Sequence, residues 1–278
     1  LHSESLKAAF LKGFLKSGLD AEDIGTLPLG VAGFYSCKNK KPLVYITASH
    51  MEKEWNGAKF FDENGIGLFE QSVRDIRKHF DELTIDTKTN QMHDEETHAS
   101  TGIQGIVAKG NTEKALDDYV AFLIAKIKPI KKLKVVIDCS NGAASLIAPK
   151  LFADAGFEVF SILSEPDGNF PGRNPPDPQY EELKELCNKI VMEKADLGIA
   201  LDGDGDRMVL VDDSGKKVSP EQSAYFVVSE LLKSENGPVI ENVECTKVLD
   251  SLVEIFNQKI IRIPVGHTYM VKAAHENK

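Results

Sequence analysis

The stretch LGIALDGDGDRMVLVDDSG, residues 197–215, places three alternating aspartates between two apolar runs. The apolar runs predict strands on both sides of a short acidic loop. Glycines between the acids let the backbone turn, so that the carboxylates of Asp202, Asp204 and Asp206 converge. Oxygen-only ligands suit Mg2+ or Ca2+ better than Zn2+, and Arg207 adds a cation beside them. The stretch therefore predicts a hard-metal site of the kind that serves phosphate chemistry.

Three other interpretations of this stretch compete with the metal site. An EF-hand loop also begins D-x-D-x-D, but it needs glycine at its sixth position, where this chain has Arg207. An acidic surface turn between two strands is the plainest alternative. An apolar strand followed by D-x-D is also similar to the start of haloacid-dehalogenase-type phosphatases, in which the first aspartate would be the nucleophile.

The rest of the chain alternates strand-like and helix-like segments, a pattern that favours α/β layers. Apolar residues at helical spacing predict helices around residues 116–127 and 183–191, and Ser219-Pro220-Glu221 predicts a helix start that continues to about Lys233. Polar stretches place the domain boundaries near residues 107 and 216. The predicted strands are LVYI (43–46), LKVVID (133–138), FEVFSIL (157–163), LGIAL (197–201) and IIRIPV (260–265).

Length and charge limit the class of protein. A chain of 278 residues allows two or three domains. With 33 basic and 43 acidic residues the net charge is −10, which does not favour a nucleic-acid or anionic-membrane partner but leaves room for a small anionic substrate. No apolar run approaches a membrane span, and the first residues lack a signal-peptide core, so we expect a cytoplasmic protein. The sequence leaves the oligomeric state open.

The four cysteines are widely separated. Without a C-x-x-C pair or disulfide-like density, they indicate a reducing compartment, and we expect all four to be buried thiols. They are Cys37, Cys139, Cys187 and Cys245.

A second group of candidate catalytic residues follows the strand at 43–46. Ser49 and His50 come directly after the strand, where side chains commonly project into a cleft, and Lys59 returns after the turn Asn56-Gly57. Ser49 is a candidate nucleophile or phosphate carrier. A helix cap, a surface imidazole and a solvated lysine are the alternatives for these three residues.

Several motifs occur in one order: TASH (47–50), NGAK (56–59), DGNFP (167–171), PPDP (175–178), DGDGDR (202–207) and PVGH (264–267). This series resembles the α-D-phosphohexomutase family, specifically its phosphomannomutase/phosphoglucomutase branch. The resemblance implies three consecutive related α/β domains, with the first and third incomplete and the fourth absent. We assign them to residues 1–106, 107–215 and 216–278. DGNFP with PPDP predicts a rigid surface loop that supports identity rather than catalysis.

The resemblance also implies roles for single residues. Ser49 would carry the transferred phosphate, and a phosphate oxygen on it would join Asp202, Asp204 and Asp206 in a Mg2+ site. His50 and Lys59 would lie near the reacting hydroxyl, and Arg207 would contact phosphate. Gly266 and His267 would belong to a sugar-contacting loop.

The implied activity is interconversion of hexose 1-phosphate and 6-phosphate, on mannose or glucose phosphates. A hexose 1,6-bisphosphate would phosphorylate the enzyme. Phosphoglucosamine mutation, and a metal- and phosphosugar-binding module without turnover, remain alternatives.

The chain departs from the family pattern at three positions. Met51 and Glu52 stand where the family usually has Asn-Pro after TASH, and Glu244 stands where a lysine is expected. The chain also starts within the first domain and stops soon after PVGH. We therefore expect weak mutase turnover, or none, from these 278 residues alone.

Overall fold

A computed structural model describes residues 2–68, 71–89, 105–127, 131–179 and 183–277. The described chain forms three consecutive α/β domains, as the sequence predicted. Of the helices in the described residues, none combines the length and the apolar character that a membrane crossing requires.

The described residues of the first domain form two small sheets. β1 pairs in parallel with β4, and β2 pairs antiparallel with β3. β2 has the bounds predicted from LVYI. The elements are α1 (Ser3–Lys16), β1 (Ala21–Asp23), α2 (Leu29–Asn39), β2 (Leu43–Ile46), β3 (Ala58–Phe61), α3 (Gln71–Thr89) and β4 (Val107–Lys109).

The second domain is a four-stranded sheet with helices on both faces, in the order β6-β5-β7-β8. Its first three strands are parallel and β8 is antiparallel to β7. Both faces are buried, because Val136 packs on one side of β5 while Val135 and Ile137 pack on the other. The elements are α4 (Thr112–Ile124), β5 (Lys134–Asp138), α5 (Ala148–Asp154), β6 (Glu158–Ile162), α6 (Lys184–Glu193), β7 (Leu197–Leu201) and β8 (Met208–Asp212).

The third domain contributes two parallel strands and three helices. Its first helix starts where the sequence predicted, and Ser219 and Gln222 form a reciprocal capping box there. The elements are α7 (Pro220–Leu231), β9 (Val239–Asn242), α8 (Asp250–Ile255), β10 (Ile260–Ile263) and α9 (His267–Glu276).

The predicted boundary near residue 107 falls at the first residue of β4, which pairs with β1 of the first domain. A boundary after Lys109 would keep the paired strands together. Helix α4 then joins the two domains, since Ala115 and Val120 pack in one cluster with Val31 of α2 and Ile147 beside α5. Both boundaries remain predictions.

Two of the four cysteines contradict the expectation of buried thiols. Cys139 is buried and Cys187 is partly buried, whereas Cys37 and Cys245 are exposed. Cys37 lies near the end of α2 and Cys245 in the turn after β9, where the chain reaches the surface.

Candidate active site

The three aspartates lie in the loop that joins β7 to β8. Their carboxylates converge as the sequence predicted, with one oxygen from each within 4.8 Å of the others. Asp202 is completely buried and Asp204 is 2% exposed, whereas Asp206 reaches the surface. The loop thus presents three carboxylates to one point at the carboxyl end of the central strands.

Hydrogen bonds inside the loop occupy only some of the carboxylate oxygens of Asp202 and Asp204. Oδ1 of Asp202 accepts from the backbone N–H groups of Asp206 and Arg207, at 3.0 and 3.1 Å. Oδ2 of Asp202 and Oδ1 of Asp204 are buried without a hydrogen-bond partner among the described residues. A buried carboxylate oxygen without a donor is costly unless a cation satisfies it. These residues therefore fit a hard divalent cation.

The raised pKa of Asp202 also fits a bound cation at this site. Burial, and next the neighbouring carboxylates of Asp204 and Asp206, raise the pKa of Asp202 to about 8. A charged Asp202 in this buried position therefore needs a compensating positive charge.

The loop after β2 brings Ser49 to the same place. Ser49 has a φ of 56°, in the left-handed region that a non-glycine residue rarely adopts. Its N–H donates to Oγ1 of Thr47 at 2.7 Å, and the Thr47 hydroxyl donates to Oδ2 of Asp204 at 3.1 Å. Strained backbone of this kind clusters at functional sites, and here it is held by a contact between two domains.

His50 and Lys59 complete the group predicted in the first domain. Nδ1 of His50 lies 3.3 Å from Oγ of Ser49. Lys59 is on β3, opposite Tyr45 of β2, and its ammonium lies 3.0 Å from Oδ2 of Asp204 and 3.3 Å from Oδ2 of Asp206. The structure thus brings Ser49, His50, Lys59 and the aspartates together.

Two glycines allow the close approach of these loops. A Cβ on Gly203 would lie 2.9 Å from the carbonyl oxygen of Ser49 and 3.1 Å from Cγ of Pro176. A Cβ on Gly142 would lie 2.5 Å from the carbonyl oxygen of Gly203. Side chains at either position would push the Ser49 loop or the turn after β5 away from the acids.

The surface loop that the sequence predicted lies only partly at the surface, because Gly168, Asn169 and Pro171 are exposed but most of the proline-rich segment that follows, residues 173–178, is not. Arg173, Pro176, Asp177 and Pro178 are all buried. The segment is buried because it packs beneath the acidic loop, where Pro176 faces Gly203 and Asp177 lies 3.6 Å from the guanidinium of Arg207. Arg207 is otherwise partly exposed and reaches Asp206 at 3.9 Å.

The third domain contributes the predicted Gly266 and His267 at the start of α9. Gly266 has a φ of 145° and caps the helix, and His267 is its first residue. The side chain of His267 lies outside the described part of the structure. The next residue, Thr268, faces the first domain, because a Cβ on Gly67 would lie 3.2 Å from its Oγ1.

A cavity of about 1160 Å3 opens beside Ser49 and Asp204 and extends into the first domain between residues of α1, β1 and β2. Its volume is somewhat above the roughly 300–1,000 Å3 that is typical of ligand-binding clefts. Met51 and Glu52 are exposed on the Ser49 loop, and Glu244 is exposed after β9.

Thr47, Arg173 and Asp177 were not predicted as site residues, although all three contact it. Thr47 lies within the TASH motif, Asp177 lies within PPDP and Arg173 comes two residues before PPDP, so the motifs marked the right segments. The motifs gave no sign of which side chains turn inward.

Comparison with known proteins identifies the same three-part plan. Three family models match: phosphoglucomutase/phosphomannomutase α/β/α domain I at residues 1–86, domain II at 117–215 and domain III at 219–278. The "Probable phosphoglucosamine mutase" of Methanopyrus kandleri is 31% identical over 99% of this chain and 58% of that protein. The phosphomannomutase/phosphoglucomutase of Pseudomonas putida is 31% identical over 98% of this chain and 55% of that protein.

A solved structure shares the fold. The phosphoglucomutase/phosphomannomutase family protein of Burkholderia thailandensis superposes with a TM-score of 0.81 at 25% identity, over 98% of this chain and 58% of that one. The chain thus spans somewhat more than half the length of the relatives that it matches.

Proposed function

Because the chain belongs to the phosphoglucomutase/phosphomannomutase family of phosphohexomutases, we propose that it carries the phosphoserine and metal half of a hexose-phosphate mutase. The reaction would interconvert hexose 1-phosphate and 6-phosphate. The observation that carries the proposal is the 3.1 Å hydrogen bond from Thr47 to Asp204, because it joins the Ser49 loop to the three acids.

Mg2+ is the cation that the proposal requires. Asp202, Asp204 and Asp206 would hold it, together with a phosphate oxygen on Ser49, and the two unpartnered buried oxygens fit that role. When bound, the cation would neutralise phosphate charge and polarise phosphorus. Lys59 already places a positive charge 3.0 Å from Asp204, where it would lower repulsion between the phosphate and the acids.

In the proposed transfer, a hexose hydroxyl attacks the phosphorus on Ser49. The new O–P bond forms as the bond between Oγ of Ser49 and phosphorus breaks, and the hydroxyl loses its proton to a base. Oγ of Ser49 leaves with the electron pair and takes up a proton. We propose that His50, which lies 3.3 Å from Oγ, and Lys59 move these protons.

Substrate contacts follow from the remaining predicted residues. Arg207 would bind substrate phosphate, and Gly266 and His267 would contact the sugar.

We propose mannose or glucose phosphates as substrates and a hexose 1,6-bisphosphate as the phosphorylating activator. Relatives named for phosphoglucosamine and for phosphomannose or phosphoglucose are both 31% identical, so identity alone does not choose between these sugars. Cytoplasmic location stays a prediction.

The test is peptide mass spectrometry after incubation with Mg2+ and glucose 1,6-bisphosphate. We expect one phosphate on Ser49, with none after omission of Mg2+ or in Ser49→Ala. A coupled assay on mannose 1-phosphate, glucose 1-phosphate and glucosamine 1-phosphate then compares the sugars. If Ser49 stays unmodified although the chain is folded and binds Mg2+, the phosphoserine assignment is wrong.

The second candidate is a metal- and phosphosugar-binding module without turnover. Exposed Glu52 beside Ser49, and Glu244 where the resemblance implies a lysine, favour it because extra carboxylates repel a phosphosugar. Calorimetric binding of glucose 1-phosphate without any phosphate on Ser49 would support this candidate over the first.

A further inference from the structure

We infer that Arg173 is a positioning residue for the acidic loop, because its guanidinium holds the carbonyl group of Leu201, the residue immediately before Asp202. The inference rests on the proposed metal site. It assigns to the proline-rich segment a role in binding the metal, through the backbone that carries Asp202.

Two directed hydrogen bonds place the guanidinium. Nη1 donates to Oδ2 of Asp138 at 2.8 Å, and Nη2 donates to the carbonyl oxygen of Leu201 at 3.0 Å. The side chains of Arg173 and Asp138 are only 6% and 4% exposed, so solvent weakens this pair little. Asp138 is fixed in turn, since its Oδ1 accepts from the N–H of Ser140 at 2.9 Å.

The two acceptors lie at the carboxyl ends of neighbouring strands. Asp138 ends β5 and Leu201 ends β7, and the two strands pair in parallel. A planar guanidinium can donate along two fixed directions at once, so Arg173 links the two strand ends. An ammonium at this position could keep the charge pair but would lose the fixed fork.

The carbonyl on the other side of Asp202 is held as well. The N–H of Ala143 donates to the carbonyl oxygen of Gly203 at 2.9 Å. The backbone on both sides of Asp202 is therefore fixed, by Arg173 before it and by the turn after β5 beyond it. These contacts set the direction of a carboxylate whose Oδ2 is buried and unpartnered.

The residue after Arg173 extends the same segment to the Ser49 loop. Oδ1 of Asn174 accepts from the N–H of Lys53 at 3.0 Å. The segment thus contacts both loops that the proposed chemistry brings together. A shift at Arg173 would therefore change the geometry of the site rather than only the packing beneath it.

The experiment measures Mn2+ binding to the whole chain by electron paramagnetic resonance, with the free energy of unfolding measured in parallel. We expect Arg173→Lys to stay folded and to bind Mn2+ about tenfold more weakly, as is typical for residues that orient metal ligands. Arg262→Lys is the matched control, because Arg262 also pairs with a buried carboxylate, Glu241, but in the third domain. The control should bind Mn2+ like the wild type.

The possible results distinguish the positioning role of Arg173 from the existence of the metal site. Mn2+ binding to the wild type that disappears in Asp202→Asn supports the metal site. If Arg173→Lys then binds within twofold of the wild type, the positioning role is overturned while the site stands. Absence of Mn2+ binding to the folded wild type overturns both.

A second variant covers the case in which Arg173→Lys does not fold. Asp138→Asn leaves one oxygen acceptor for two donors, the Ser140 N–H and Arg173, and removes the charge that holds the guanidinium in place. We expect Mn2+ binding to weaken in the same direction by a smaller factor. Unchanged binding in this variant would overturn the inference.

Discussion

The ammonium of Lys59, in the first domain, lies 3.0 Å from Oδ2 of Asp204, in the second. The side chain of Asp204 is 3% exposed and that of Lys59 is 31% exposed. The carboxylate is therefore shielded from solvent, whereas solvent still reaches the lysine side chain. Lys59 thus counters the negative charge of the acidic loop, which the Thr47–Asp204 hydrogen bond joins to the loop of the proposed phosphate carrier.

Replacing Lys59 by Met should separate metal binding from transfer. Without the nearby cation, the acids should bind Mn2+ several-fold more tightly, because repulsion between two cations is removed. Phosphorylation of Ser49 should slow by about 100-fold or more, as expected when a proton-transfer or charge-stabilising group is lost. Rates of phosphate incorporation, measured by mass spectrometry over time, test this.

The control for that variant is Lys150→Met, since Lys150 pairs with Asp154 on the solvent-exposed side of α5. It should change neither quantity. An unchanged phosphorylation rate in Lys59→Met would remove Lys59 from the proposed machinery.

The stabilisation of the folded protein by Mg2+ should depend on pH. The pKa of Asp202 is raised to about 8 in the folded protein, against about 3.9 for an ordinary aspartate. Without metal, the stability that protonated Asp202 contributes should be lost progressively as the pH rises from about 4 to 8. Mg2+ competes with that proton, so the increase in Tm on adding Mg2+ should be larger at pH 8 than at pH 6.

Asp202→Asn is the matched variant for this measurement. It should lose the Mg2+-dependent increase in Tm and flatten the pH dependence of the metal-free protein. Equal Mg2+ effects at pH 6 and pH 8 in the wild type would contradict the competition.

Gly203→Ala should disturb the contact between the first two domains. The new Cβ would lie 2.9 Å from the carbonyl oxygen of Ser49, and backbone cannot yield as a flexible side chain would. We expect a loss of about 1–3 kcal/mol in the free energy of unfolding, measured in urea, with slower phosphorylation of Ser49.

Gly33→Ala provides the control, because Gly33 lies within α2 and its Cβ would meet nothing within 4 Å. This change should stabilise the protein by about 0.5–1 kcal/mol. Similar effects from the two glycine variants would show that the close approach at Gly203 is unimportant.

The four thiols should react in a fixed order. Cys37 and Cys245 are exposed and should react rapidly with a thiol reagent at pH 8. Burial raises the pKa of Cys139 to about 12, so it should react only after unfolding, and Cys187, partly buried with a raised pKa, should be slow. Mass spectrometry of labelled peptides gives the order, and early labelling of Cys139 would contradict the packing of β5.

The sequence predicted local features better than pairings between distant residues. The strands at 43–46 and 197–201 and the capped helix at Pro220 follow from short apolar runs and from one cap, and the structure confirms them. Convergence of the three aspartates follows from spacing within one loop, and it is also confirmed.

The sequence could not predict which side chains become buried, because their burial depends on contacts between segments that are distant in the chain. The PPDP motif predicts a rigid loop but carries no information on whether another segment covers that loop. The burial of Pro176 and Asp177 beneath the acidic loop was therefore missed. The exposure of Cys37 and Cys245 was missed for the same reason, since a thiol has no pattern that marks which side of a helix or turn faces solvent. Arg173 meets Asp138 and Leu201 only after β5 and β7 have paired.

The hydrogen bond between Thr47 and Asp204 joins residues that are 157 positions apart in the chain. At synthesis rates of about 5–20 residues per second, Asp204 is made roughly 8–30 s after Thr47. The Ser49 loop therefore leaves the ribosome long before its acidic partners exist. A phosphate on Ser49 would consequently mark a chain that has been translated through its second domain and folded, and would be absent from shorter nascent chains.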